Sequence, residues 1–315
     1  MQGSQWKGRR RRKTRYRRFR WGKALLVVIS VGLVVFALVK LIGYGADYVS
    51  SQRTADELRQ VYQAETSAPV ITTAPAAPPS AAPQASPAPT AAPVAVTLEE
   101  MRYANNPRLE ISSKFKALRK ENKDIVGWLT IGDLLDEAVT QRDEDYYMDH
   151  DALGKKNVNG AIFLDSGISL KTRPYTCILY GHNMKTGAMF GCLRNFENIA
   201  YYHSEPFITF DTMYESGRYV IFAVSTVNTV EKVRNYVDLF ALRFNNIQER
   251  EAAIRALTNS SVFSNAVDVQ PDDQLLLLVT CVEHDNERRV VAARRVREGE
   301  NENDLKNTVA RSWKK

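Results

Sequence analysis

A run of about 23 apolar or small residues, Ala24 to Ala46, broken once by Lys40, constrains this chain more than any other feature. As a helix it measures ~34 Å at ~1.5 Å per residue, the depth of a bilayer core. Lys40 lies near one end, where its stem can snorkel to the interface. Ahead of the run, residues 1–23 hold eleven Lys/Arg and no acid. The positive-inside bias then predicts a cytoplasmic tail over 1–23, a single span over 24–46, and an extracellular remainder. Trp21 and Tyr44 suit the two interfaces. A cleaved signal peptide would have a shorter apolar core and a small-x-small cleavage site, for which Gly43-Tyr44-Gly45-Ala46 is a weak match. The tail also accounts for the basic pI of 9.2. Without it, 32 basic residues face 36 acidic ones. The body is therefore mildly acidic, and no nucleic-acid partner is expected.

Two contrasting segments follow. Residues 47–65 read as a short polar juxtamembrane helix of no evident chemistry. Residues 66–96 carry eight of the twelve prolines and no charge. Such an Ala/Pro-rich stretch favours extended polyproline II and acts as a semi-rigid linker. The folded domain is expected over 97–300, with a polar C-terminal tail over 301–315.

Within that domain, LEEMRYANN and ISSKFKALRKEN read as helical. Short runs rich in Val, Ile, Leu and Tyr then recur at 126–131, 161–164, 176–180, 218–227, 274–281 and 290–296, bounded by Gly, Asn, Asp or Pro, and read as strands. One clear helix interrupts them at 247–258. Many short strands with few helical crossovers predict a mainly β fold: a closed or nearly closed barrel with peripheral helices.

Three cysteines (Cys177, Cys192, Cys281) and four histidines exclude a disulfide scaffold and a four-cysteine zinc site. No metal or cofactor is expected. His182 follows an apolar strand in LYGHNMKTGAMFG, and reads either as a loop histidine or as an exposed acid or base. Cys281 ends the strand LLLLVTC, and reads either as a small core residue or as a thiol at the rim. Three cysteines cannot all pair with one another, so at least one is free or pairs between chains. Arg288 and Arg289 enter the next strand. Either can be a solvated turn residue or a fixed cation donating to a developing oxyanion. His182 precedes Cys281, the reverse of the papain-like order.

These residues resemble those of the sortase family, class B in particular. The similar segments, spread over roughly 98–297, are NKDIVGWLTI, DEDYYMDHDALGKKNVNGAIFLD, YGHNMKTGAMFGCLRNF, LLLLVTC and ERRVVAARR. The resemblance implies an eight-stranded sortase-type barrel and a cysteine transpeptidase on the outer face of a Gram-positive cell. It implies Cys281 as nucleophile, His182 as general acid and base, and Arg288 as oxyanion donor. Arg289 is the alternative, because counting back from VVAAR gives Arg288 and counting on from the cysteine gives Arg289. The implied partners are secreted proteins with a C-terminal sorting motif (NPxTx- or LPxTG-like), cut after threonine, and an amine acceptor: a peptidoglycan precursor or a pilin lysine. An inactive scaffold that binds sorting signals is the non-enzymatic alternative. Tyr236 is expected on a loop helix bounding the substrate groove, or in plain packing. Glu283 is expected to orient His182 or Arg288, and Thr280 to shape the oxyanion region. Cys177 is expected in the core, and Cys192 as a free thiol.

Overall fold

The computed structural model describes residues 21–64, 97–143, 145–281 and 286–315. Most of the basic tail, the Ala/Pro-rich linker and Glu283 fall outside them.

Helix α1 runs from Trp21 to Ala64. Its residues up to Ala46 form one unit of the chain; those from Asp47 on belong to the second. In the first unit Leu25, Leu26, Val28 and Leu33 are each more than 60% exposed. Among the described residues this is the one helix long and apolar enough to cross a membrane, with a mean hydropathy of 2.9.

Among its described residues the second unit has ten strands: β1 (Ile125–Ile131), β2 (Leu135–Thr140), β3 (Ile162–Leu164), β4 (Thr176–Tyr180), β5 (Phe207–Thr212), β6 (Arg218–Asn228), β7 (Phe263–Ser264), β8 (Leu275–Cys281), β9 (Glu287–Arg295) and β10 (Trp313–Lys314). Its further helices are α2 (Ser113–Glu121), α3 (Ile199–Ser204), α4 (Ile247–Ser260) and α5 (Glu302–Val309). Eight strands close a barrel in the order β1-β2-β3-β4-β8-β9-β6-β5. Two neighbours are parallel, β2 with β3 and β4 with β8. A parallel pair needs a long crossover: 141–161 joins β2 to β3, and 181–274, which includes the barrel strands β5 and β6, separates β4 from β8.

The core explains the strand sequences. Leu275 to Val279 are all at most 1% exposed, so β8 reads as a continuous apolar run because both its faces are covered. Each such leucine contributes about 1.5–3 kcal/mol through burial. Trp128 and Ala138 look outward instead, and form a second cluster with Phe115 and Leu118 of α2 and Leu58 of α1. Residues 47–64 therefore pack on the barrel. Tyr62 stacks on Trp128 at 4.4 Å, and Arg59 pairs with Asp136 at 2.9 Å.

Two segments differ from the sequence reading. LEEMRYANN is extended and turned rather than helical. Asn106 bonds both the amide and the carbonyl of Glu110, a local pairing that competes with helix, and Pro107 follows at once. Buried Tyr103 donates to the Leu170 carbonyl. After residue 300, α5 buries Leu305 and Val309, and β10 pairs with β7.

Candidate active site

The barrel register brings the sequence-predicted residues to one rim. In the parallel β4–β8 ladder Tyr180 stands beside Val279, and the Gly181 amide continues the pairing to the Val279 carbonyl at 3.3 Å. His182 is two residues past Tyr180, and Cys281 is two past Val279. Adjacent strands lie about 4.8 Å apart, so the two backbones are neighbours. On the other side, β8 and β9 pair Cys281 with Arg288 and Thr280 with Arg289. Cys281 and Arg288 thus stand on adjacent strands, and His182 lies two residues past the end of the next one, at the same end of the barrel.

The same ladder separates the two arginines. Adjacent positions on a strand face opposite sides. Arg288 stands directly across from Cys281, and its Nη1 donates to the Glu287 carbonyl at 2.9 Å. Arg289 stands across from Thr280 and meets the Glu197 carboxylate at 2.7 Å. Thr280 is 2% exposed, and among the described residues its Oγ1 has no hydrogen-bond partner.

His182 is held by its backbone surroundings. Its Nε2 lies 2.6 Å from the Met148 carbonyl. A carbonyl can only accept, so Nε2 carries the proton and Nδ1 is the nitrogen left for acid–base exchange. The loop after His182 is closed on itself: Asn183 bridges Met189, and Arg194 donates to the Met184 and Gly191 carbonyls at 2.6 and 2.7 Å. A Cβ on Gly191 would lie 2.1 Å from the Met184 oxygen, so glycine alone permits that closure.

Such a rim can hold a nucleophile, an acid and a fixed cation around one carbonyl, which is the equipment of acyl transfer. Comparison with known proteins gives this chemistry its family. The sortase domain model matches residues 138–296. The chain belongs to the sortase family. It is 31% identical over 176 residues to sortase B of Listeria monocytogenes, covering 55% of this chain and 68% of that protein. It is 30% identical over 190 residues to sortase B of Staphylococcus aureus, covering 59% and 75%. A crystal structure of a Bacillus anthracis protein similar to sortase B superposes with a TM-score of 0.58 at 25% identity, covering 79% of this chain and 97% of that one. This sortase is therefore class B-like, and its reaction is that of a cysteine transpeptidase.

The remaining predicted residues are placed less uniformly around the sortase rim. Tyr236 is not on a helix: it sits in a run of turns and bridges Asn228 at the end of β6. A short 3-10 turn follows at Phe240–Arg243, and α4 begins eleven residues past Tyr236. Cys177 and Cys192 are both free and buried, and burial pushes both thiols up to about 12. Sequence reasoning passed over Glu197, Met148 and Gly160. A carbonyl contact carries no side-chain signal, and Glu197 gains its role only through the fold. It also passed over a cavity of about 880 Å³ lined by Tyr48 and Arg59 of α1, Glu137 of β2, and Lys185, Cys192 and Arg194 of the loop after His182.

Proposed function

We propose that the chain is a membrane-anchored extracellular sortase that cuts a C-terminal NPxTx- or LPxTG-like sorting motif after threonine and passes the protein to an amine of a peptidoglycan precursor. The Cys281 thiolate attacks the threonine carbonyl. Arg288 donates to the oxygen as charge develops there. Protonated His182 gives its Nδ1 proton to the departing amine, leaving a thioacyl enzyme. An acceptor amine then loses its proton to His182 as it displaces the thiolate. The apolar run 24–46 serves as the anchor, the basic tail as its cytoplasmic flank, and 66–96 as a linker outside the membrane.

What supports this reading is the register of β4, β8 and β9, which sets Cys281 across from Arg288 with His182 two residues past the end of β4. The test uses the full chain in detergent micelles with quenched fluorescent peptides bearing NPxTx- and LPxTG-type motifs. Acceptors presenting an N-terminal glycine or a lysine side chain run alongside. Cleavage after threonine should vanish in Cys281→Ala and fall at least about a hundredfold in Arg288→Ala, as for loss of an oxyanion donor. Full activity in Cys281→Ala would sink the reading.

A further inference from the structure

The Met148 carbonyl that holds His182 belongs to a loop, 141–161, whose own position needs an explanation. Residues 146–148 form a single 3-10 turn, too short to be rigid alone. Gly160 packs against that turn. Its φ is +61°, and a Cβ there would lie 2.5 Å from the Tyr147 oxygen, 2.9 Å from the Met148 oxygen and 3.1 Å from Cδ2 of His182. Gly160 thus touches both the carbonyl that orients the imidazole and the imidazole itself.

Gly160 is in turn fixed by two asparagines. Its amide donates to the Asn157 carbonyl at 3.0 Å, and the Asn159 amide donates to Asn157 Oδ1 at 2.9 Å. Both asparagines are 2% exposed, so their side-chain amides must be satisfied inside the protein. Their partners come from α1. Asn157 Nδ2 donates to the Asp47 carbonyl at 3.0 Å, and Asn159 Nδ2 donates to Ser51 Oγ at 2.9 Å. The Ser51 hydroxyl shares its proton between Asn157 Oδ1 at 3.2 Å and the Asp47 carbonyl at 3.1 Å. One turn on, Thr54 Oγ1 donates to Asp151 Oδ2 at 3.1 Å. The other oxygen of Asp151 accepts the Leu153 and Lys155 amides. Ser51 and Thr54 are themselves buried.

We infer that Ser51 and Thr54, on the stretch of α1 immediately after the apolar run, are positioning residues for His182, Ser51 acting through Asn157, Asn159 and Gly160, and Thr54 through Asp151 of the same loop. Removing the Ser51 hydroxyl leaves Asn157 Oδ1 and Asn159 Nδ2 without that partner. The loop then relaxes, Met148 no longer meets Nε2 in one geometry, and the imidazole samples both tautomers. The same helix that leaves the apolar run thereby sets the acid of the active site. The inference rests on the reading of His182 as the acid, but its first readout does not.

The experiment uses the full chain in detergent micelles, labelled with ¹⁵N-histidine and assigned with His182→Gln. At about pH 8.5 an ordinary histidine is neutral, and nitrogen shifts separate the two tautomers. Wild type should show His182 as the Nε2–H form. Ser51→Ala should show mixed tautomers and a kcat lowered by about tenfold or more with KM for the sorting peptide unchanged. Ser51→Thr, which keeps the hydroxyl, should restore both. Exposed Arg255→Ala should change neither. An unaltered tautomer and kcat in Ser51→Ala overturns the inference. Should Ser51→Ala fail to give a cooperative melt, Thr54→Val tests the second tie with the same expectation and the same overturning result. If wild type cleaves no sorting peptide, the functional reading falls while the tautomer still decides this one.

Discussion

Arg289 and Arg288 are neighbours in sequence, yet the barrel gives them different partners. Arg289 is 14% exposed and pairs with Glu197, so Arg289→Ala should cost about 1 kcal/mol of stability and change turnover by less than about threefold, measured by thermal melts and peptide cleavage. The strand-end positions of His182 and Cys281 are legible in the sequence because each closes an apolar run. The choice between the arginines is not, because it depends on the β8–β9 register, and sequence spacing alone permits either. Glu137 is equally illegible. It is half-buried on β2 beside the large cavity, and burial pushes its carboxyl from 4.5 to about 7, with Arg59 opposing and Asp136 and Asp56 adding to the rise. Its folded pKa lies above its unfolded one. The folded state therefore holds the proton that the unfolded state has lost between those values, and stability declines as pH rises through that window. Glu137→Gln should be neutral near pH 4 and stabilising by about 1–2 kcal/mol at pH 8, as read by denaturant melts at both pH values.

At the level of elements, strands that are buried on both faces announce themselves, and those that carry acids do not. The runs at 176–180 and 274–281 read directly from the sequence as β4 and β8. LDEAVT does not, because its Asp136 is satisfied only in the fold, by Trp128 Nε1 at 2.6 Å, Thr130 Oγ1 at 2.9 Å and Arg59. FITFDT is similar: Asp211 takes the Tyr62 and Ser216 hydroxyls. The insertion between β6 and β8 depends on a buried cation in the same way. Arg250 of α4 is fully buried and donates to the Pro271 and Asp273 carbonyls, at 2.6 and 2.9 Å, and to Thr176 Oγ1 at 2.7 Å. Burial lowers its pKa to about 10, still well above neutrality, so the guanidinium stays charged. Arg250→Met keeps the stem but strands those acceptors. It should cost about 3 kcal/mol, or about 6–12 °C in Tm, in a thermal scan.

The whole catalytic unit starts earlier than the Ala/Pro-rich stretch suggests. From composition, 66–96 separates an anchor from a domain that begins near residue 97. In the fold, residues 47–64 already lie on the barrel: Leu58 is 1% exposed in the cluster with Phe115, Leu118, Ile125 and Trp128, and Tyr62 covers Trp128. Polar composition hides this, because the partners that tie Ser51, Thr54 and Arg59 to the barrel (Asn157, Asp151 and Asp136) lie on strands and loops about eighty to a hundred residues away. A fragment starting at residue 97 would therefore expose that cluster to water and leave Asn157 and Asn159 without Ser51. Burying one leucine and one aromatic side chain is worth several kcal/mol in gross terms, about 1.5–3 kcal/mol each, against which the ordering of a helix and a linker counts. A net loss of about 3 kcal/mol corresponds to about 6–12 °C for a domain of this size. Residues 47–315 should therefore melt that much higher than residues 97–315, and the shorter fragment should bind a hydrophobic dye that the longer one does not. Equal melting temperatures would mean that the docked half of α1 adds nothing to the barrel's stability.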